Sequence, residues 1–210
     1  MTPQGMIAAG GTAVLVVGVS ILAATRLLTP DADGFAMCRD AAVAGAGSIG
    51  GPFELIDETG AVVSETQVID GPALVYFGYT FCPDVCPVDV ARNADAVEIL
   101  AEDYGMSVKP VFVSVDPARD TPDVLRDFTD AMHPDMIGLT GSEEQVAAAT
   151  KAYRAYRSVP ADPEDEYYLV DHSAYSYLML PETGFAEIYR REVTPEAMAE
   201  SLACFVEAQS

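Results

Sequence analysis

The chemistry of this chain is concentrated in Cys82 and Cys86, within the run Tyr76-Phe77-Gly78-Tyr79-Thr80-Phe81-Cys82-Pro83-Asp84-Val85-Cys86-Pro87. A continuous apolar run, Ala73 to Phe77, comes just before the pair, and helical spacing follows from Pro87. The cysteines therefore stand where a strand hands over to a helix. Backbone N–H groups and the helix dipole favour negative charge there, so a thiol ionises more easily. A thiolate is both a redox nucleophile and a soft metal ligand, and position alone does not choose between the two. Spacing adds a constraint. Three residues separate the cysteines, against two in a thioredoxin-type redox dithiol. The wider gap still permits a disulfide, but it also lets two sulfurs converge on one ion. A two-thiolate site suits Cu(I) and leaves a third position for a donor from elsewhere in the chain. The plain alternative is a loop disulfide without further chemistry.

Two histidines are present, His133 and His172. His133 lies in Met132-His133-Pro134, a helix end, and is expected at the surface. His172 lies in Val170-Asp171-His172-Ser173, just ahead of the strand-like Tyr175–Leu180. Imidazole suits copper as well as zinc, and it accepts both Cu(I) and Cu(II). Asp171 is a candidate acceptor for fixing the ring. The competing reading is an ordinary polar loop histidine. Thiol–disulfide oxidoreductases of thioredoxin-like fold carry a cis-proline in the loop facing the cysteines. No proline lies between Pro163 and Pro181 here, which favours metal over disulfide exchange. A peroxidase reading fails on spacing, because position 78 is Gly and Cys82 follows Thr80 by only two.

These residues need a scaffold, and hydrophobic patterning supplies one. Phe53–Asp57 and Ala61–Val63 flank Glu58-Thr59-Gly60, which reads as a hairpin turn. Ala73–Phe77 and Val111–Val115 are runs suited to strands buried on both faces. Between them, Val90, Ala94, Val97 and Leu100 mark a helix from Pro87 to Tyr104, stopped by Gly105. Thr121-Pro122 opens a second helix, and Ser142–Gln145 is a capping box opening a third, to about Tyr156. Val159–Glu166 is a Pro- and acid-rich loop. A strand from Tyr168 to Leu180, a turn at Pro181–Gly184, a strand Phe185–Arg190 and a helix from Thr194-Pro195 to Val206 complete the chain. A βαβ unit followed by a ββα unit predicts an α/β, thioredoxin-like fold with a mixed sheet.

The chain of 210 residues is half hydrophobic and carries 33 acidic against 11 basic residues, a formal net charge of -22. Such a surface repels nucleic acid, so no nucleic-acid role is expected. Met6 to Thr25 is an uncharged apolar stretch matching a bilayer's hydrocarbon thickness, with no basic n-region ahead of it. It is expected to be an uncleaved transmembrane anchor. The expected organisation is a membrane anchor at 1–27, a Gly- and Ala-rich tether at 28–50 and the folded domain at 51–210. Four cysteines after a membrane-targeting segment fit an oxidising compartment. Cys38 on the tether and Cys204 on the last helix are expected to form a disulfide pinning the two together.

Taken together, the motifs resemble the Sco/SenC family of copper chaperones for cytochrome c oxidase assembly. The resemblance runs from about Gly51 to Phe205. It is carried by Gly51–Leu55, Val75–Thr80, Cys82–Pro87, Phe112–Pro122, Gly138–Gly141 and Val170–Ala174. It implies copper ligation by Cys82, Cys86 and His172, with a soluble domain in the periplasm, anchored to the inner membrane. It also implies a binding rather than an enzymatic role: taking copper from an upstream donor and supplying the CuA site of oxidase subunit II. The alternative within the family is a thiol–disulfide reductase that keeps the CuA-site cysteines reduced. The chain departs from the family pattern at Leu180, where an Asp is usual, and Cys38 and Cys204 lie outside the family's core motif. Asp116, Arg119 and Asp120 belong to the signature and read as an ion-pair loop beside the cysteines, with partner docking as the alternative.

Overall fold

The computed structural model describes residues 34–39, 49–160 and 167–209. The chain divides into residues 1–36 and 37–210, and the second unit holds all the elements below. The membrane span expected over Met6–Thr25 and most of the tether lie outside the described residues. Among the described residues no helix is long and apolar enough to cross a membrane.

Strands β1 (Glu54–Asp57) and β2 (Val62–Ser64) form the expected hairpin, followed by a single helical turn, α1 (Glu65–Val68). The turn is tied by Asp57, whose carboxylate accepts from the Thr59 and Ala61 N–H groups. Next come β3 (Ala73–Gly78), α2 (Val85–Tyr104), β4 (Lys109–Ser114), α3 (Pro122–Met132), β5 (Ile137–Thr140) and α4 (Glu143–Ala152). Two short strands, β6 (Arg157–Ser158) and β7 (Asp171–His172), pair only with each other. The hairpin β8 (Ser176–Leu180) and β9 (Gly184–Tyr189) leads into α5 (Pro195–Gln209).

The main sheet has the order β2-β1-β5-β4-β3-β8-β9. Strands β3, β4 and β5 run parallel and the outer pairings are antiparallel, so the thioredoxin-like mixed sheet is present. Every residue of β3 and β8 is buried, as expected of strands covered on both faces. Helix α2 turns Cys86, Val90, Ala94, Val97 and Leu100 inward, the i, i+3/i+4 stripe of a helix docked on a core. Gly105 closes it at φ 66 with its N–H on the Ala101 carbonyl, a conformation that suits glycine.

Several expectations change. The segment Tyr168–Leu180 is not one strand: it breaks into β7 and β8, and β8 is buried throughout rather than alternating. Helix α4 ends at Ala152 instead of Tyr156, because Arg154 takes φ 52 and turns the chain. Strand β5 has only four residues, too few for periodicity to reveal it. His133 is not at the surface. It is 7% exposed at the end of α3, and its Nδ1 accepts the Asp135 N–H at 3.1 Å.

The expected disulfide is formed: Cys38 and Cys204 are bonded across a separation of 166 residues. Beside it, Arg39 donates to the Ala186 carbonyl from Nε and Nη2, and its guanidinium lies over Phe205. Cys38 and Arg39 are thus fixed to α5 and β9.

Candidate metal centre

The cysteine loop leaves β3 at Gly78. A Cβ at that position would lie 2.8 Å from the Tyr76 ring, 3.0 Å from the Phe112 ring and 3.1 Å from the Cys86 sulfur. Glycine is required there because β3 must pass close under Cys86. The loop turns through the Cys82 N–H to the Tyr79 carbonyl at 3.2 Å and enters α2. The Asp84 side chain makes no cap hydrogen bond. Instead the Cys82 sulfur accepts the Cys86 N–H at 3.4 Å, so a sulfur sits among the unpaired amides of the helix start.

Both thiols are buried and free. Cys86 Sγ lies 3.2 Å from His172 Nε2. The other ring nitrogen, Nδ1, is 3.0 Å from the Ser173 carbonyl. Nε2 is thus the nitrogen turned to the thiol, and Nδ1 the one turned to the Ser173 carbonyl. The ring-fixing partner is therefore the Ser173 carbonyl and not Asp171, whose side chain is exposed. Edge-on contacts from the Tyr76 and Tyr79 rings, at 6.3 and 5.7 Å, hold the imidazole from two sides. Tyr76 is itself fixed by donating to the buried Asp89 carboxylate at 3.1 Å. These tyrosines and Ser173 stood in plain view in the sequence, yet no local pattern marks them as neighbours of a histidine.

The ligand atoms of Cys82, Cys86 and His172 all lie within 4.8 Å of one another. The three predicted residues are thus brought together; among the described residues no other group of three His, Cys, Asp or Glu side chains is so placed. Two thiols and one neutral imidazole form a soft donor set, fitting copper better than Mg²⁺ or Ca²⁺. Charge is distributed unequally. Burial pushes the Cys82 thiol up, but the N–H groups of Asp84, Cys86 and Val85, with the Cys86 side chain, outweigh it and leave it below its ordinary value. Burial dominates at Cys86 and raises its thiol well above the ordinary value. Burial also lowers His172, keeping it in the neutral, ligating form. His172 also lines a surface cleft with Tyr156, Tyr175, Arg190 and Arg191.

The signature loop lies against this site as an ion-pair cluster. Asp116 pairs with Arg119 and accepts from Tyr168 Oη at 2.6 Å. Asp120, fully buried, accepts from Ser114 Oγ and from the Thr80 N–H and hydroxyl.

The SCO1/SenC family model matches residues 41–207. Protein SenC of Rhodobacter capsulatus is 55% identical over 201 residues, 96% of this chain and 90% of that protein. The crystal structure of Arabidopsis thaliana ScoI with copper bound shares 38% identity and a TM-score of 0.71, covering 77% of this chain and 99% of that one. A structure of BsSco, described as a member of the Sco family of cytochrome c oxidase assembly proteins with a disulfide switch, shares 25% identity. Its TM-score is 0.56, covering 73% of this chain and 91% of that one.

Proposed function

We propose that this chain, which belongs to the SCO1/SenC family, carries one copper ion on Cys82, Cys86 and His172 and delivers it to the CuA site of cytochrome c oxidase subunit II. The observation that carries this reading is the convergence of two free thiols and a His172 ring nitrogen within 4.8 Å. It is supported by the copper-bound relative of the same fold.

Copper is cargo here. Loading as Cu(I) requires both thiols to give up a proton. Cys82 gives up its proton most readily; the buried Cys86 thiol holds its proton until copper displaces it. Two thiolates and one imidazole make a low-coordinate site that suits Cu(I), and the imidazole accepts Cu(II) as well. Transfer proceeds by ligand exchange, each new bond replacing an old one without redox change. On this reading the protein is a carrier and not an enzyme. It takes its copper from an upstream donor and works in the periplasm from an inner-membrane anchor over Met6–Thr25.

A second reading, as a reductant of the CuA-site cysteines, is favoured by one observation. Cys82 is an unbonded thiol held below its ordinary value beside a second free thiol. The deciding experiment measures copper content and copper transfer to the isolated subunit II domain, with the parent and His172→Ala proteins. One copper per parent chain, lost or weakened in the variant and transferred by the parent, is the expected result. Equal copper binding by both proteins would overturn the three-donor site. Reduction of the disulfide of an oxidised subunit II domain, with a Cys82–Cys86 disulfide formed in exchange and no copper dependence, would favour the reductant.

A further inference from the structure

The loop Asp116-Pro117-Ala118-Arg119-Asp120 touches both halves of the metal centre without contributing a donor atom to it. The loop is a tight turn, with the Arg119 and Asp120 N–H groups on the Asp116 carbonyl. The Asp116 carboxylate takes Arg119 Nε on one oxygen and Tyr168 Oη on the other. The Arg119 guanidinium carbon then lies 3.6 Å from the centre of the Tyr168 ring, 4.9 Å from that of Phe81 and 5.6 Å from that of Tyr79. Phe81 immediately precedes Cys82. Tyr168 lies four residues ahead of His172, and the Tyr79 ring meets the imidazole edge. One cation is therefore stacked against the segment carrying the thiols and the segment carrying the imidazole.

The strand that carries His172 is short. Strand β7 has two residues, pairs only with the two-residue β6, and is not part of the seven-stranded sheet. Beyond that pairing, the segment is tied by the Ser173 N–H to the Tyr156 carbonyl, by the Tyr156 N–H to Ser173 Oγ and by a bond between the Tyr79 side chain and the Val170 backbone. Cys86, by contrast, sits on a 20-residue helix.

We propose that Arg119, braced by Asp116, is a positioning residue that clamps the His172 segment to the cysteine loop through Tyr168, Phe81 and Tyr79, so that the third donor is in place before copper arrives. This inference rests on the three-donor reading. It gives the ion-pair loop a task distinct from general stability: holding His172 against the cysteine loop, while Cys86 is placed by α2.

The test is a double-mutant cycle. Cu(I) affinity is measured by competition with a chromophoric chelator for the parent, Arg119→Gln, His172→Ala and the double variant. Arg119→Gln is expected to weaken binding by roughly tenfold in the parent, the range of outer-shell effects, and to have no effect in the His172→Ala background. Arg119→Lys, which keeps a cation over the rings, recovers part of the loss. Equal losses in both backgrounds, or none in either, would overturn the proposal. A second readout uses the metal-free chain. The ring signals of His172 in NMR are expected to move toward those of a solvated histidine in Arg119→Gln and, by less, in Tyr168→Phe, which removes only the hydroxyl bond to Asp116. Unchanged ring signals in both variants would also overturn it. Should parent and His172→Ala bind copper alike, the three-donor reading fails by itself, and the NMR arm still decides whether Arg119 positions the ring.

Discussion

Two pairs of cysteines occupy opposite roles in this molecule. Cys38 and Cys204, 166 residues apart, are covalently joined. Cys82 and Cys86, four apart, are not. The distant pair links an N-terminal segment to the last helix, next to an arginine bound to a β9 carbonyl. The close pair is held on a helix start, one sulfur accepting a backbone N–H and the other facing an imidazole. Sequence proximity thus says little about which cysteines bond. What differs is the environment: one pair has been consumed in a crosslink, while the other keeps its sulfurs available and electronically unequal.

Copper binding is expected to depend on the free pair. Cys86→Ser and His172→Ala are expected to lose more copper affinity than the roughly 10–100-fold that outer-shell changes cost, as read by chelator competition. The joined pair should show the reverse pattern. Cys38→Ser or Cys204→Ser is expected to leave copper affinity unchanged and to cost up to about 5 kcal/mol of stability in the chain-entropy model for so long a loop, as measured by denaturant unfolding. A stability loss together with a loss of copper affinity would show that the two ends are coupled.

Gly78→Ala tests how tightly the site is built. The added methyl meets two rings and the Cys86 sulfur, so overpacking of about 1–3 kcal/mol is expected, together with weaker copper binding. The inequality of the free thiols sharpens the comparison further. Cys82 is held below its ordinary value and Cys86 above it. Raising the pH of the reduced, metal-free chain should therefore expose a reactive thiolate at Cys82 first. Its alkylation midpoint is expected below that of an ordinary free cysteine and that of Cys86 above it, by peptide mapping after a pulse of reagent. The smallest effect is at the start of α3. Thr121→Ala removes the acceptor for the Val124 N–H and should cost about 1 kcal/mol, with no change in copper binding.

Much of the scaffold was readable because its signals are local. Buried strands announce themselves as apolar runs at Ala73–Phe77 and Val111–Val115. Helix starts do so as Thr121-Pro122 and Ser142–Gln145, where the structure has the expected caps. Where the signal was short or conflicting, the reading failed. Strand β5 is too brief for a period. His133 looked exposed because a helix-end histidine followed by proline usually is; here its ring folds back onto the Asp135 N–H. Asp171 was a reasonable partner by adjacency, but successive residues of a strand point to opposite sides. The imidazole is held by a backbone carbonyl instead.

By itself the sequence determined which residues could do chemistry: two cysteines at a strand-to-helix junction, one histidine in a proline-free stretch, and a motif set resembling one family. It also determined the acidic charge, because charge is a property of composition. Only the tertiary structure decided that donors 86 residues apart in sequence meet at 3.2 Å. It also decided that Nε2 rather than Nδ1 faces the sulfur, and that Arg119 spans both segments. Those outcomes depend on the order in which strands enter the sheet and on side chains packing across it. No short window of sequence encodes that, because a contact between distant segments is fixed by everything folded between them.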